Sequence, residues 1–108
     1  MSEALDLCSR ALARYHEPEL LRLKGELLLQ RGDADAAEAT FWDAIGLAGN
    51  RGSRAWELRS ATSLAALLDR RGRRADARET LDGIYRGFTE GLERPDLRDA
   101  RELLNHLR

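Results

Sequence analysis

Apolar residues recur every three or four positions along most of the chain, which is the period of an amphipathic helix. The pattern is clearest on either side of a break at Gly32 and Asp33, and it predicts two helices folded back on each other as a hairpin. Helices are predicted over residues 2–15, 18–31, 34–48, 54–71, 74–89 and 95–107. We therefore expect an all-α fold of about six helices, with no strand.

The first hairpin is repeated 40 residues further along the chain. The matching positions are Gly25 and Ala65, Leu28 and Leu68, Gly32 and Gly72, Ala37 and Ala77, and Phe41 and Leu81. The helix predicted before the first hairpin matches the second helix of a unit, because Ala4, Cys8 and Ala11 lie 33 residues before Ala37, Phe41 and Ala44. We expect one domain over 1–108, with a half repeat 1–16, repeats 17–50 and 53–91, and a terminal helix 95–108. We attribute the 40-residue spacing to a long connection over 49–53 and an extended helix after it.

Charge and cysteine content narrow the classes of function. Eighteen basic residues against nineteen acidic ones give a net charge of -1, so no overall field attracts nucleic acid or an anionic membrane. Cys8 is the only cysteine, which favours a reducing compartment. The chain has no apolar run of membrane-spanning length and no leader-like N-terminus. We expect a cytoplasmic protein with no membrane segment.

No residue pattern indicates an enzyme, a cofactor or a metal. Lys24 and Gly25 lie inside a helix and lack the glycine cluster of a phosphate-binding loop. His16 and His106 have no second ligand at metal-binding spacing. Cys8 takes the inward position that Phe41 fills in the next unit, so a buried thiol is favoured over a nucleophile. We expect no catalysis, cofactor or metal.

The small and aromatic positions resemble those of tetratricopeptide repeats. Gly25 lies in the first helix of the unit, and Ala37, Phe41 and Ala44 follow in the second helix at steps of four and three. A weaker copy is made by Ala65, Ala77, Leu81 and Ile84. The resemblance implies antiparallel hairpins stacked as a short right-handed solenoid. It also implies that the first helix of each hairpin lines a groove in which a peptide docks.

Longer segments resemble the C-terminal helical-repeat region of large bacterial signalling proteins. The segments are PELLRLKGELLL at 18–29, ELRSATSLA at 57–65, FTEG at 88–91 and PDL at 95–97. In those proteins the repeats follow an ATPase domain and accompany an adenylyl cyclase or a DNA-binding activator domain. The resemblance implies a regulatory, protein-contacting role and carries over no catalytic residue.

Candidate contact residues follow from this groove. On the two predicted first helices, the positions facing it are Glu19, Arg22, Glu26, Gln30, Arg59, Thr62, Asp69 and Arg70. An apolar stripe at Leu5, Cys8 and Leu12 is expected to bind a second copy of the chain or upstream repeats, unless the following helices cover it. Trp42 and Trp56 are either partner contacts or core residues, and we favour the core.

The rival hypothesis is an anion-binding or nucleic-acid-binding patch at the densest basic cluster, Arg70 to Arg74. No aromatic residue is interleaved with these arginines, as a nucleic-acid module would usually show. We therefore favour interaction of Arg70 and Arg71 with the negative end of their own helix.

Overall fold

Five α-helices make up most of the part of the chain that the structure describes. This is a computed structural model, and it describes residues 16–88 and 94–108. The helices are α1 (Glu17–Gln30), α2 (Ala34–Asn50), α3 (Arg54–Arg70), α4 (Arg74–Tyr85) and α5 (Pro95–Leu107). No strand occurs within these ranges. The all-α prediction is confirmed there, while the helix predicted at 2–15, with Leu5, Cys8 and Leu12, lies outside the described residues.

Local residue chemistry accounts for where the helices begin. Pro18 and Pro95 stand in the first turn of α1 and α5, where a missing N–H costs no intrahelical hydrogen bond. Asp33 caps α2 as predicted, since its Oδ1 accepts a hydrogen bond from the Ala36 N–H at 3.1 Å. Ser53 precedes α3 in the same way, but its hydroxyl makes no capping hydrogen bond.

One turn occurs three times at 20-residue intervals. Gly32, Gly52 and Gly72 each have a positive φ, between 68° and 84°, which is cheap only for glycine. In the first copy the Asp33 N–H donates to the Leu28 carbonyl at 2.9 Å and the Gly32 N–H donates to that of Leu29 at 3.0 Å. The same pair of bonds closes the other two turns, which makes all three Schellman motifs.

These turns correct our explanation of the 40-residue spacing. The connection between α2 and α3 comprises only residues 51–53, like the connections on either side of it. The extra length lies in the helices, because α2 and α3 have 17 residues each. One helix of 17 residues with its turn of three residues spans 20 residues. Two such helix-and-turn units give the 40-residue period.

Consecutive helices pack against each other, and α3 also touches both α1 and α5. Because each of the three turns between α1 and α4 has only three residues, these packed neighbours run in opposite directions. Helices two apart therefore run in the same direction. Arg59 and Asp96 accordingly meet near the starts of α3 and α5, while Asp69 and His106 meet near their ends.

The core lies between these helices and includes the alanines that define the repeat. Ala37 and Ala77 are fully buried, as predicted. The other buried apolar side chains are Phe41, Ala44, Ala48, Leu58, Ala61, Leu64, Ala65, Leu67, Leu68, Leu81, Leu97, Ala100, Leu104 and Leu107.

Two helices approach closely where Gly25 of α1 meets Phe41 of α2. A Cβ atom added to Gly25 would lie 2.5 Å from Cε1 of the Phe41 ring, closer than van der Waals contact allows. In the second hairpin the matching residues are Ala65 and Leu81, and both are fully buried. The second unit thus has alanine where the first has glycine, and leucine where the first has the larger phenylalanine.

Three expectations about packing are wrong. Trp42 is exposed on α2, with 44% of its surface accessible, so it is not a core residue, and Trp56 is only half-buried. Gly83 marks no close contact, since nothing lies within 4 Å of an added Cβ. Helix α4 ends at Tyr85 instead of residue 89.

We predict that Gly25→Ala destabilises the protein by about 1–3 kcal/mol, because the methyl group would force Phe41 out of place. Gly46→Ala is the matched control: it lies inside α2 with nothing within 4 Å of the added Cβ, so it should stabilise by about 0.5–1 kcal/mol. Urea unfolding measures both changes.

The double variant Gly25→Ala with Phe41→Leu copies the residues of the second hairpin. Its free energy of unfolding should be higher than that of Gly25→Ala alone, because leucine leaves space for the new methyl group. Equal stabilisation by Gly25→Ala and Gly46→Ala would show that the contact with Phe41 does not constrain this position.

Candidate functional site

Helices α1, α3 and α5 bring several of the predicted groove residues together. Glu19 Oε1 of α1 lies 3.1 Å from Arg59 Nη2 of α3. The Nε atom of the same arginine lies 3.9 Å from Asp96 Oδ1 of α5. One guanidinium therefore links all three helices near their starts.

Arg22 holds the second guanidinium of this network. Its Nη2 and Nε donate to the two carboxylate oxygens of Glu19 at 2.6 and 2.9 Å. Its Nη1 lies 3.4 Å from the Ser63 hydroxyl oxygen on α3 and 3.8 Å from Glu26 Oε1. The hydrogen bond with Glu19 is the main cause that raises the pKa of Arg22. Arg22 is therefore a fixed cation, held by a bidentate bond between side chains that are only 14% exposed.

An open cavity of about 230 Å³ lies beside this network. Its lining residues are Arg22, Arg59, Thr62, Ser63, Asp96 and Asp99. The Thr62 hydroxyl donates a hydrogen bond to the Leu58 carbonyl at 2.8 Å, so its oxygen can still accept a hydrogen bond from a ligand. The cavity combines two cations, two carboxylates and two hydroxyls, a set suited to hydrogen bonding with a polar or backbone group.

Asp96 and Asp99 are the residues of this cavity that the sequence prediction missed. The groove was mapped onto the first helices of two hairpins, whereas α5 lies beside α3 as a third helix of the same kind. Leu97, Ala100 and Leu104 form the buried stripe of α5. Assigning α5 as a first helix would have placed the two aspartates next to the groove.

The remaining predicted groove residues lie apart from this cavity. Asp69 lies 3.3 Å from His106 Nε2 and 3.6 Å from Arg74 Nε, near the ends of α3 and α5. Gln30 and Arg70 are exposed. The Arg70 side chain forms no ion pair or hydrogen bond with the described residues.

Carboxylates pair with most of the arginines in the basic turn from Arg70 to Arg74 and offset their positive charge. Arg71 Nη2 lies 2.6 Å from Asp35 Oδ1, and its Nη1 lies 3.2 Å from Glu38 Oε1. The two acidic residues lie on α2, so Arg71, which stands at the end of α3, also pairs with a neighbouring helix, a contact that the sequence did not predict.

The side chains of Arg73 and Arg74 also form hydrogen bonds. Arg73 Nη1 donates to Glu38 Oε1 at 2.9 Å and its Nε donates to Asp76 at 3.1 Å. The hydrogen bond with Glu38 is the main cause that raises the pKa of Arg73. Arg74 Nη2 donates to the His106 carbonyl at 2.7 Å. A phosphate at this turn would compete with carboxylates that already pair with three of its arginines, Arg71, Arg73 and Arg74.

A larger cavity, of about 550 Å³, lies between α4 and α5. Arg78, Arg86 and Arg108 line it, together with Tyr85 and Leu104. Arg86 Nη2 is paired with a carboxylate of the same helix at 2.6 Å. None of the predicted contact residues lies there, so the cavity provides a comparison surface for binding experiments.

Residues 16–88 and 94–108 contain neither a cluster of metal-ligating side chains nor a membrane-spanning helix. No group of three or more histidine, cysteine or acidic side chains is placed to hold a metal ion there. In the same ranges no helix has both the length and the apolar character needed to cross a membrane. Comparison with protein-family models, with curated proteins and with solved structures gives no match.

We predict that Arg59→Gln lowers the free energy of unfolding by about 0.5–1 kcal/mol, because Arg59 links three helices through partly buried carboxylates. Arg70→Gln removes an exposed arginine from the same helix, and its effect should stay within about 0.5 kcal/mol. Urea unfolding at low salt measures the difference, which should shrink in about 1 M NaCl. Equal effects of the two substitutions at low salt would show that the network contributes nothing to stability.

Proposed function

We propose that this chain is a non-catalytic protein-interaction module that binds a segment of a partner protein on the face formed by α1, α3 and α5. One observation carries the proposal: all three helices contribute to one linked set of polar side chains beside an open cavity. Stacked helical hairpins generally bind partners along such a surface, because helices in equivalent positions present equivalent side chains.

The regularity of the hairpins supports a repeat of the tetratricopeptide type. The turns at Gly32, Gly52 and Gly72 share one hydrogen-bond pattern. The small residue of each first helix and the large residue of the next are buried in both hairpins. We propose that the hairpins continue as a short right-handed solenoid with this face on its concave side.

The chemistry of the cavity supports binding over catalysis. Arg22 and Arg59 are both paired with Glu19, so their charge serves to hold the helices and to present hydrogen-bond donors. Asp96 and Asp99 add acceptors on the opposite side. An extended or helical peptide with exposed backbone or charged groups is the ligand class that such a surface accommodates.

The wider biological role rests on the sequence resemblance alone. We propose a regulatory or scaffolding part of a bacterial signalling or transcription-regulating protein, acting in the cytoplasm. The single cysteine is consistent with that compartment.

Selection from a random peptide library on the immobilised protein tests the proposal. We predict that peptides enriched on the natural chain bind at least about tenfold more weakly to Thr62→Arg, because a long cation would fill the cavity. Arg78→Glu, which alters the larger cavity, is the matched control and should leave binding unchanged. Fluorescence anisotropy of a labelled peptide measures both.

The opposite pattern, with binding retained in Thr62→Arg and lost in Arg78→Glu, would move the binding surface to α4 and α5. Failure to enrich any peptide would count against a peptide-binding groove. Circular dichroism of each variant establishes that the helices are intact.

The rival hypothesis, nucleic-acid binding at the basic turn, is disfavoured because Asp35, Glu38 and Asp76 already pair with its arginines. We predict that single-stranded RNA binds no better than about 10⁻⁴ M at physiological salt, the weak end of non-specific binding. Tighter binding that falls steeply with salt, and that Arg73→Glu with Arg74→Glu abolishes, would establish the rival instead.

A further inference from the structure

Helix α1 carries an apolar stripe that no described residue covers. Leu20, Leu23 and Leu27 are exposed over 53%, 44% and 55% of their surface. Their spacing of three and four places them on one side of the helix. Of the four large apolar side chains exposed in the described part of the chain, three therefore lie together.

Two of the three stripe positions are covered in the equivalent helix of the next unit. Leu20 and Leu27 lie 40 residues before Ser60 and Leu67 of α3, which are 0% and 2% exposed. Helix α3 is packed between α2 and α4 and is buried on both sides. Helix α1 has α2 on its Gly25 side, and the stripe lies on the opposite side. The stripe thus occupies the place where a preceding second helix would pack.

We propose that residues 2–14 of the same chain occupy this stripe as an antiparallel helix. The segment carries the spacing of a second helix, since Ala4, Cys8 and Ala11 match the inward residues of α2. Only residues 15 and 16 separate it from the start of α1 at Glu17, so a short turn would join the two, as three-residue turns join α1 to α4. Leu5 and Leu12 supply the large side chains that meet the leucines.

The covalent connection favours this occupant over a second copy of the chain. A segment joined by a short turn acts at an effective concentration on the order of millimolar, whereas a second copy at micromolar concentration must pay for association. Packed in this way, the leucine stripe of α1 is buried in the core of the protein. The inference is independent of the proposed partner surface, which lies on a different side of α1.

Cys8 provides the test. In a hairpin that turns around residue 16, position 8 lies opposite position 24, and Leu23 is the stripe residue adjacent to that position. A disulfide forms only when two Cα atoms come within about 7 Å. We expect Leu23→Cys to form an intramolecular disulfide with Cys8 in a glutathione redox buffer, detected by mass spectrometry and by mobility on a non-reducing gel.

The matched control adds Leu5→Lys and Leu12→Lys to the Leu23→Cys chain. The tether and both cysteines are unchanged, but the apolar stripe of the segment is lost. We expect the effective concentration of the two thiols to fall at least about tenfold. An unchanged value would overturn the proposal, because proximity would then result from the tether alone.

A second copy on the stripe predicts a different product. The chain with Cys8→Ser and Leu23→Cys can form only an intermolecular disulfide, and our proposal expects it to remain monomeric. Rapid formation of a covalent dimer by this variant, with little intramolecular product in the first, would assign the surface to a second copy and overturn the proposal.

Discussion

The structure depends on how closely the two helices of each hairpin approach. At Gly25 the backbone of α1 lies so near the Phe41 ring that a single added methyl group would clash with it. Close-packed interiors transmit such constraints, since neighbouring atoms have no free space to absorb a displacement. The distance between α1 and α2 sets where α3 packs, and so it also sets the side-by-side placement of α1 and α3 that brings Glu19 to Arg59.

Features set by local chemistry could be predicted from the sequence. Glycine at 32 and 72 ends a helix because it adopts a positive φ cheaply, and aspartate at 33 caps the next helix because its carboxylate reaches an N–H three residues on. The buried alanines followed from helical periodicity. Trp42 could not be placed in this way: its neighbour Phe41 already fills the space beside α1, and the tryptophan one position on points to solvent.

The candidate site was predicted only where its residues lie on helices recognised as first helices of a hairpin. Glu19, Arg22, Arg59 and Thr62 follow from periodicity, but their pairing depends on how α1 and α3 lie relative to each other. The partners of the arginines in the basic turn could not be predicted from the sequence either. The carboxylates that pair with Arg71 lie 33 and 36 residues earlier in the chain, and no local pattern connects them to it.

The two outermost described helices differ in the surface they turn away from the core. Helix α5 buries Leu97, Ala100, Leu104 and Leu107 and exposes charged or polar residues elsewhere, so its outer surface is suited to water. Helix α1 exposes Leu20 and Leu27 at positions whose equivalents in α3, Ser60 and Leu67, are buried, and it exposes Leu23 beside them. Fully burying a leucine is worth about 1.5–3 kcal/mol, so covering three half-exposed ones contributes several kcal/mol, a large share of the about 5–15 kcal/mol that stabilises a typical domain. Because leaving these leucines in water is costly, the leucine stripe is the side of α1 on which we propose that a further helix packs. The proposed partner surface lies on the polar side of the same helix, where Glu19 and Arg22 contact α3.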